Sequence, residues 1–323
     1  MVRSCNTDPA SLAESEGRMV RRLNIHPFCY CLQVGGGLRM ILVTGGTGLI
    51  GREVLRRLSE RGVPARALTR DLKKAHNMPG ITWVAGDLGK PETLPAAFEG
   101  AKALFLLTHY LEDMVALQHN AIAAARAAGL THVVKVSAFA ASDHSKAPIG
   151  RWHYQVEKEL QESGLEWTML RPHHFMQNLL AQADYVRKEG AIYSPSGDGK
   201  IPYVDGRDVG AVAAVTLTTP GHVGKKYVLT GSEAMSYRQA AEIIAAVIDK
   251  PVRFVDESPD QARARRVREG MPPAVIESVL AIGAYQRTGG KTVTITSTIA
   301  DLTGRPPRTV AEFVREHASA FRG

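Results

Sequence analysis

The chain has 323 residues, 44% of them hydrophobic, and a formal net charge of +8. That is enough apolar material for two average domains or for one large α/β domain with a lobe. The Lys and Arg residues are scattered without a basic run or interleaved aromatics, which excludes a nucleic-acid footprint, and no apolar run reaches the ~18 residues of a membrane span.

Residues 1–39 hold no clear helical or strand period. Cys5, Cys29 and Cys31 all fall within them, so the folded body has neither a disulfide framework nor a cysteine metal site, and a reducing cytoplasm is expected. The segment "MVRRLNIHPFCYCLQVGGG" has twin arginines but no clean apolar stretch and no A-x-A cleavage site. Its expected origin is an upstream start codon, and it is expected to be poorly ordered.

From Met40 the pattern becomes regular. "MILVTGG" reads as a strand, "LIGREVLRRLSERG" as a helix and "PARALTR" as a second strand. "ITWVAGD", "AKALFLLT", "THVVKVSA" and "LEWTMLRP" continue as strands, with helices at "PETLPAAFEG", "MVALQHNAIAAARAAG" and "GRWHYQVEKELQESG" between them. Strands that are apolar throughout and alternate with helices predict a parallel sheet covered on both faces, a doubly wound Rossmann-type α/β fold. Residues 40–172 form its dinucleotide-binding core. Residues 173–323 are expected to hold the remaining sheet elements and a smaller, mostly helical substrate lobe: a helix over about His174–Lys188, sheet additions near Ile192, at "KIPYVDGRDVGAVAAVTL" and at "KKYVLTG", then three further helical segments.

"VTGGTGLIG" spaces Gly45, Gly48 and Gly51 between the first strand and the first helix. Gly45 permits the tight turn, Gly48 lets backbone approach a pyrophosphate, and Gly51 lets helix pack on strand; Thr47, Leu49 and Ile50 bring backbone donors to the phosphates. Arg70, ending the second strand, favours the 2′-phosphate of NADP(H) over NAD(H). Asp87, with Leu88 beside it, is placed to accept from the adenine amino group. Thr108 and Lys135 border the same cofactor from the fourth and fifth strands. No flavin or metal is expected.

"ILVTGGTGLIG", "ALTRD", "AGDL", "VVKVSA", His153 with Glu157, "SGLEWTMLRPHHFMQN" and "IPYVDGRDVGAVA" together resemble the NmrA-like branch of atypical short-chain dehydrogenase/reductases. The resemblance implies the fold and the dinucleotide. It also implies a choice between NAD(P)H-dependent quinone, azo-dye or triphenylmethane reductases and redox-sensing regulators that bind NAD(P) without turning it over.

The helix "GRWHYQVEKELQESG" carries two rival pairs. Tyr154 and Lys158 have the Y-x-x-x-K spacing of short-chain dehydrogenases, and His153 and Glu157 share the same i, i+4 relation. With roughly 100° per residue and a buried stripe of Trp152, Val156 and Leu160, His153 and Glu157 sit about 60° and 100° from its centre, and Tyr154 and Lys158 about 160°. His153 and Glu157 are therefore expected to face the site, His153 as proton donor and Glu157 orienting it, with Ser137 at the end of the fifth strand. His109, Tyr110, His174, Phe175, Met176 and Asn178 are expected at the acceptor.

The expected function is hydride transfer from NAD(P)H to a small electron-poor acceptor, a quinone or azo compound, by a cytoplasmic monomer or homodimer without nucleic-acid or membrane partners. Reducing such an acceptor needs less acid catalysis than reducing a ketone, because the anion formed is delocalised. The alternatives are a non-catalytic NADP(H)-sensing regulator and a Tyr154/Lys158-dependent carbonyl or sugar-nucleotide reductase.

Overall fold

The structure is a computed structural model that describes residues 39–322. The three cysteines and all but the last residue of the expected N-terminal extension lie outside the described residues. The strands are β1 (Ile41–Val43), β2 (Ala65–Thr69), β3 (Ile81–Ala85), β4 (Ala103–Leu106), β5 (His132–Val136), β6 (Glu166–Pro172), β7 (Ala191–Ser194), β8 (Lys225–Leu229) and β9 (Arg253–Asp256). Around the sheet lie α1 (Leu49–Glu60), α2 (Pro95–Phe98), α3 (Met114–Ala127) and α4 (Pro148–Glu162). They are followed by α5 (Gln177–Leu180), α6 (Ala183–Glu189), α7 (Gly206–Thr218), α8 (Tyr237–Ile248), α9 (Pro259–Arg268) and α10 (Pro273–Arg287).

Seven strands form one parallel sheet in the order β3-β2-β1-β4-β5-β6-β8. The order reverses between β1 and β4, which opens a crevice at their carboxyl ends where ligands bind in such sheets. Thr44 fastens those two ends together: its hydroxyl donates to the carbonyls of Phe105 (3.1 Å) and Leu107 (2.9 Å).

Successive strand residues enter opposite layers, as the two-residue period requires. Ile41 and Val43 pack with Phe105, Val134, Val136 and Leu170 under α1 and α7. Leu42 packs with Leu104, Leu106, Val133 and Met169 under α2, α3 and α4. All residues of β1, β4 and β5 are buried, whereas the edge strand β3 is half-exposed.

The second half of the chain departs from expectation in three places: most of "KIPYVDGRDVGAVAAVTL", expected as a sheet addition, is the helix α7. The strand near Ile192 does not join the main sheet: β7 pairs in parallel with β9, making a separate two-stranded sheet. The helix expected over about His174–Lys188 is instead the short α5 and α6, separated at Ala181 and Gln182. Of the stretch around Ile201, two isolated bridges, Phe175 to Val204 and Ile201 to Met235, link it to its neighbours before α7 begins. This lobe has its own core of Met176, Leu179, Tyr203, Tyr237, Ile244 and Phe313.

Phe105 lies at the sheet centre with no exposure. Phe105→Ala is expected to cost about 3–5 kcal/mol through lost burial and a residual cavity, read as a lower denaturant midpoint at unchanged slope.

Candidate dinucleotide cleft and buried charge network

The glycine turn is built by close packing. Gly45 has φ +67°, a conformation side chains resist, and its carbonyl accepts from Gly48 N at 3.0 Å. A Cβ at Gly51 would lie 2.2 Å from that same carbonyl. Only hydrogen at Gly51 lets the first turn of α1 sit against the end of β1, which aims the helix N-terminus into the crevice.

The crevice holds a cleft of about 460 Å³ lined by Gly45, Thr47, Gly48, Arg70, Lys74 and Asp87, and continuing past Leu88 to Thr108, His109 and Tyr110. Asp71 also borders it, but its carboxylate caps the following turn by accepting from Lys73 N at 2.9 Å. The cations Arg70 and Lys74 remain to meet an anion there. Asp87 makes a similar local bond, from Gly89 N at 2.9 Å, so its carboxylate both shapes the loop and borders the cleft.

Thr108 Oγ1 accepts from Gln118 at 2.8 Å, and the His109 ring meets Asp113 at 2.5 Å. The side chains of Leu49 and Ile50 do not line the cleft; they border Gly206 at the start of α7, so only their backbone can serve a phosphate.

The second feature is a group of charges between α4 and the sheet. The register aligns Lys135 of β5 with Met169 of β6 and then Lys226 of β8, so all three lie on the α4 side. Glu157 has no exposure and accepts from Ser137 Oγ (2.5 Å), Arg171 Nε (2.8 Å) and Arg171 Nη2 (2.5 Å), with Lys226 Nζ at 3.3 Å. Burial alone would raise its pKa. The bonds from Arg171 and Ser137 and the charges of Arg171 and Lys226 outweigh burial and hold it below the usual carboxylate range.

Lys135, also without exposure, donates to the Val136 carbonyl at 3.1 Å and to His153 Nδ1 at 3.0 Å. His153 is pushed well below its ordinary value by burial and by the charges of Lys135 and Arg171, so its ring is neutral.

The buried arc of α4 comprises Gly150, His153, Val156, Glu157 and Leu160, while Trp152 is half-buried. Its centre is thus rotated about 60° from the expected stripe and falls on His153 itself. Tyr154 is half-buried and Lys158 exposed, its amine 3.9 Å from Glu162.

Two expectations are corrected by this geometry. Glu157 does not orient His153, whose partner is Lys135; and Lys135 is sealed under α4 instead of bordering the cofactor cleft.

Beyond β6, the His174 ring nitrogen Nε2 meets Tyr237 Oη (2.8 Å) and Asn178 Nδ2 (3.1 Å), and burial pushes His174 down to about 3. Met176 is 1% exposed and Phe175 packs against the main core, so both contribute chiefly to packing. His173, which drew no attention in the sequence, stacks on Phe139 at 4.3 Å; its Nδ1 accepts from His174 N, and its buried Nε2 has no hydrogen-bond partner among the described residues. Adjacent histidines carry no signal of which one points inward. Among the described residues, no group of His, Cys, Asp or Glu is placed to hold a metal ion, and no helix is long and apolar enough to cross a membrane.

A seven-stranded parallel sheet with a glycine turn and two cations at its switch point defines a Rossmann-type dinucleotide-binding α/β protein. The NmrA-like family model matches residues 38–314, and the chain belongs to that family. It is 40% identical over 287 residues to an NAD(P)H azoreductase of Xenophilus azovorans, covering 87% of this chain and 99% of the relative. It is 32% identical over 281 residues to quinone oxidoreductase 2 of Escherichia coli (strain K12), covering 85% and 97%. The crystal structure of the NADPH-dependent quinone oxidoreductase from Escherichia coli complexed with NADPH superposes with a TM-score of 0.79 at 29% identity, covering 86% of this chain and 99% of that one.

Glu157→Gln leaves Arg171 and Lys226 facing a neutral amide. The expected loss is about 3 kcal/mol, the lower end for a broken buried pair because Arg171 retains 19% exposure. The depressed pKa fixes the sign of the pH dependence: the contribution is fully present above the ordinary carboxylate range and is lost as pH falls through the lower folded value. Denaturation midpoints of the two proteins should therefore converge in acid.

Proposed function

We propose that this protein is an NADPH-dependent reductase that passes hydride directly to a small electron-poor acceptor, a quinone or azo compound. The observation that carries the reading is the Gly45–Gly51 cradle opening onto Arg70 and Lys74 in one cleft. The turn fits a pyrophosphate: a Cβ at Gly51 would strike the Gly45 carbonyl, so the glycine lets α1 begin hard against β1 with its N-terminus in the crevice. Arg70 and Lys74 would hold the 2′-phosphate, which is the basis for preferring NADP(H) over NAD(H).

When bound, the reduced nicotinamide supplies a hydride. The chain itself binds and orients the two reactants, with Thr108, His109 and Tyr110 continuing the cleft beyond the phosphates, and near-attack geometry supplies much of the rate. The exposed Lys158, whose amine lies beside Glu162 and away from the sheet, argues against the carbonyl-reductase alternative, and the reductase relatives argue against a purely sensing role. The lobe after Pro172 is assigned to acceptor binding. The protein is taken to act in the cytoplasm as a monomer or homodimer, without flavin or metal.

Purified protein with NADPH should show acceptor-dependent loss of nicotinamide absorbance with quinones or azo dyes; a flat trace across both classes rejects the reading. Arg70→Ala should weaken NADPH binding by about 1.5–3 kcal/mol, roughly tenfold or more, while leaving NADH binding nearly unchanged. Titration calorimetry with both cofactors separates the two.

A further inference from the structure

The charged groups under α4 include one pair that cofactor binding does not use. Lys135 Nζ has two acceptors, the Val136 carbonyl and His153 Nδ1. A neutral amine has two N–H groups and is satisfied by them, whereas an ammonium has three. The site therefore satisfies the neutral amine fully and leaves one N–H of the ammonium unmet, and burial lowers Lys135 to about 7, with Glu157 pulling it up and Arg171 pushing it down.

With no exposure, the amine can reach neither solvent nor an acceptor directly. Among the described residues its only ionisable hydrogen-bond partner is His153, which keeps 8% exposure and whose Nε2 has no hydrogen-bond partner there. A crossover helix runs antiparallel to its strands, so His153 lies one turn nearer the carboxyl ends of β5 and β6 than Glu157, which already meets Ser137 just past the end of β5. That is the ligand-binding edge of the sheet.

We propose that Lys135 and His153 form a proton relay, in which the imidazole gives its Nε2 proton to the reduced acceptor while taking one from the Lys135 ammonium at Nδ1. The proposal rests on the reductase reading. Hydride transfer brings the acceptor two electrons and one negative charge. The His153 Nε2–H bond then breaks as an O–H bond forms on a quinone product, or an N–H bond on an azo product. The Lys135 Nζ–H bond breaks as His153 Nδ1–H forms, leaving Lys135 neutral. Reloading runs backward: solvent protonates Nε2, and Nδ1 returns its proton to the sealed amine. His153 is the catalytic residue of the pair, and Lys135 positions and supplies the proton.

The charged groups facing the pair are Glu157 on α4, Arg171 on β6 and Lys226 on β8. From the far side, α10 meets the start of α4 through Ser278, which does not ionise, and α3 meets α4 through His119 and Glu159, a pair on the outer side.

The kinetic test compares wild type, Lys135→Met and Lys135→Arg in azo reduction, with NADPH binding measured in parallel. The protonated lysine is the donor form, so wild-type kcat should be full below about pH 7 and fall above it. Lys135→Met should lose that limb and about 10²-fold in kcat, with KM and cofactor affinity held. Lys135→Arg keeps a cation beside Nδ1 but cannot release its proton, so it should fail to rescue; full rescue by Arg means that only charge matters, and the relay is wrong.

A second measurement needs neither turnover nor a variant. In wild type labelled at lysine 13Cε and histidine 15N, one buried lysine should titrate near neutrality and the His153 nitrogens should shift with it. Lysine resonances all titrating in the ordinary range, or His153 indifferent to the titration, would falsify the relay even if acceptors are reduced. Conversely, coupled titration without turnover of any acceptor would sink the reductase reading while leaving the proton-transfer pair standing.

Discussion

A carboxylate without solvent must be answered by its surroundings, and the half of the fold from β5 to β8 is organised around that requirement. Glu157 enters the layer between α4 and the sheet because Ser137, Arg171 and Lys226 meet it there. Removing two charges from water costs several kcal/mol per ion, recovered only when geometry is good and further donors fill the remaining lone pairs. β6, β8 and the residue just past β5 supply those donors. The carboxylate thereby fixes the register of α4 against β5, β6 and β8, and with it which residue of α4 stands at the sheet's ligand-binding edge.

Opposite this polar layer, the cofactor side depends on absence. The approach of Gly51 to Gly45 leaves no room for a methyl group, and the α1–α7 contact repeats the device: a Cβ at Gly210 would sit 2.8 Å from Glu53 Cβ. The two faces of the sheet thus use different physics, dense backbone packing on one and a satisfied charge cluster on the other.

The parallel core was legible because its signals are local: apolar strands, helical spacing and a glycine motif between the first of each. Arg70 was legible for the same reason, since its place at the end of β2 follows from chain order. The outward direction of Lys158 could be read from helical angles alone, whereas Tyr154 is half-buried. The centre of the α4 stripe could not. Two of its inward residues are polar, and they are tolerated there only because Lys135, Arg171 and Lys226 converge on them from strands 18, 14 and 69 positions away in the chain. An amphipathic reading assigns a buried arc to hydrophobic residues, and so placed Trp152 too deep and made Glu157 the companion of His153. The fate of β7 was equally hidden, since its partner β9 begins 62 residues later, at Arg253 against Ala191.

The sealing of Lys135 bears on how the protein can be handled. A depressed pKa ordinarily makes an amine the first to react with acylating reagents, because more of it is unprotonated at neutral pH. Here the amine whose pKa burial has lowered is also sterically shielded. Amine-directed coupling will consume exposed lysines such as Lys158 and spare Lys135, so tethering to a surface or tagging with a fluorophore leaves the Lys135–His153 pair untouched.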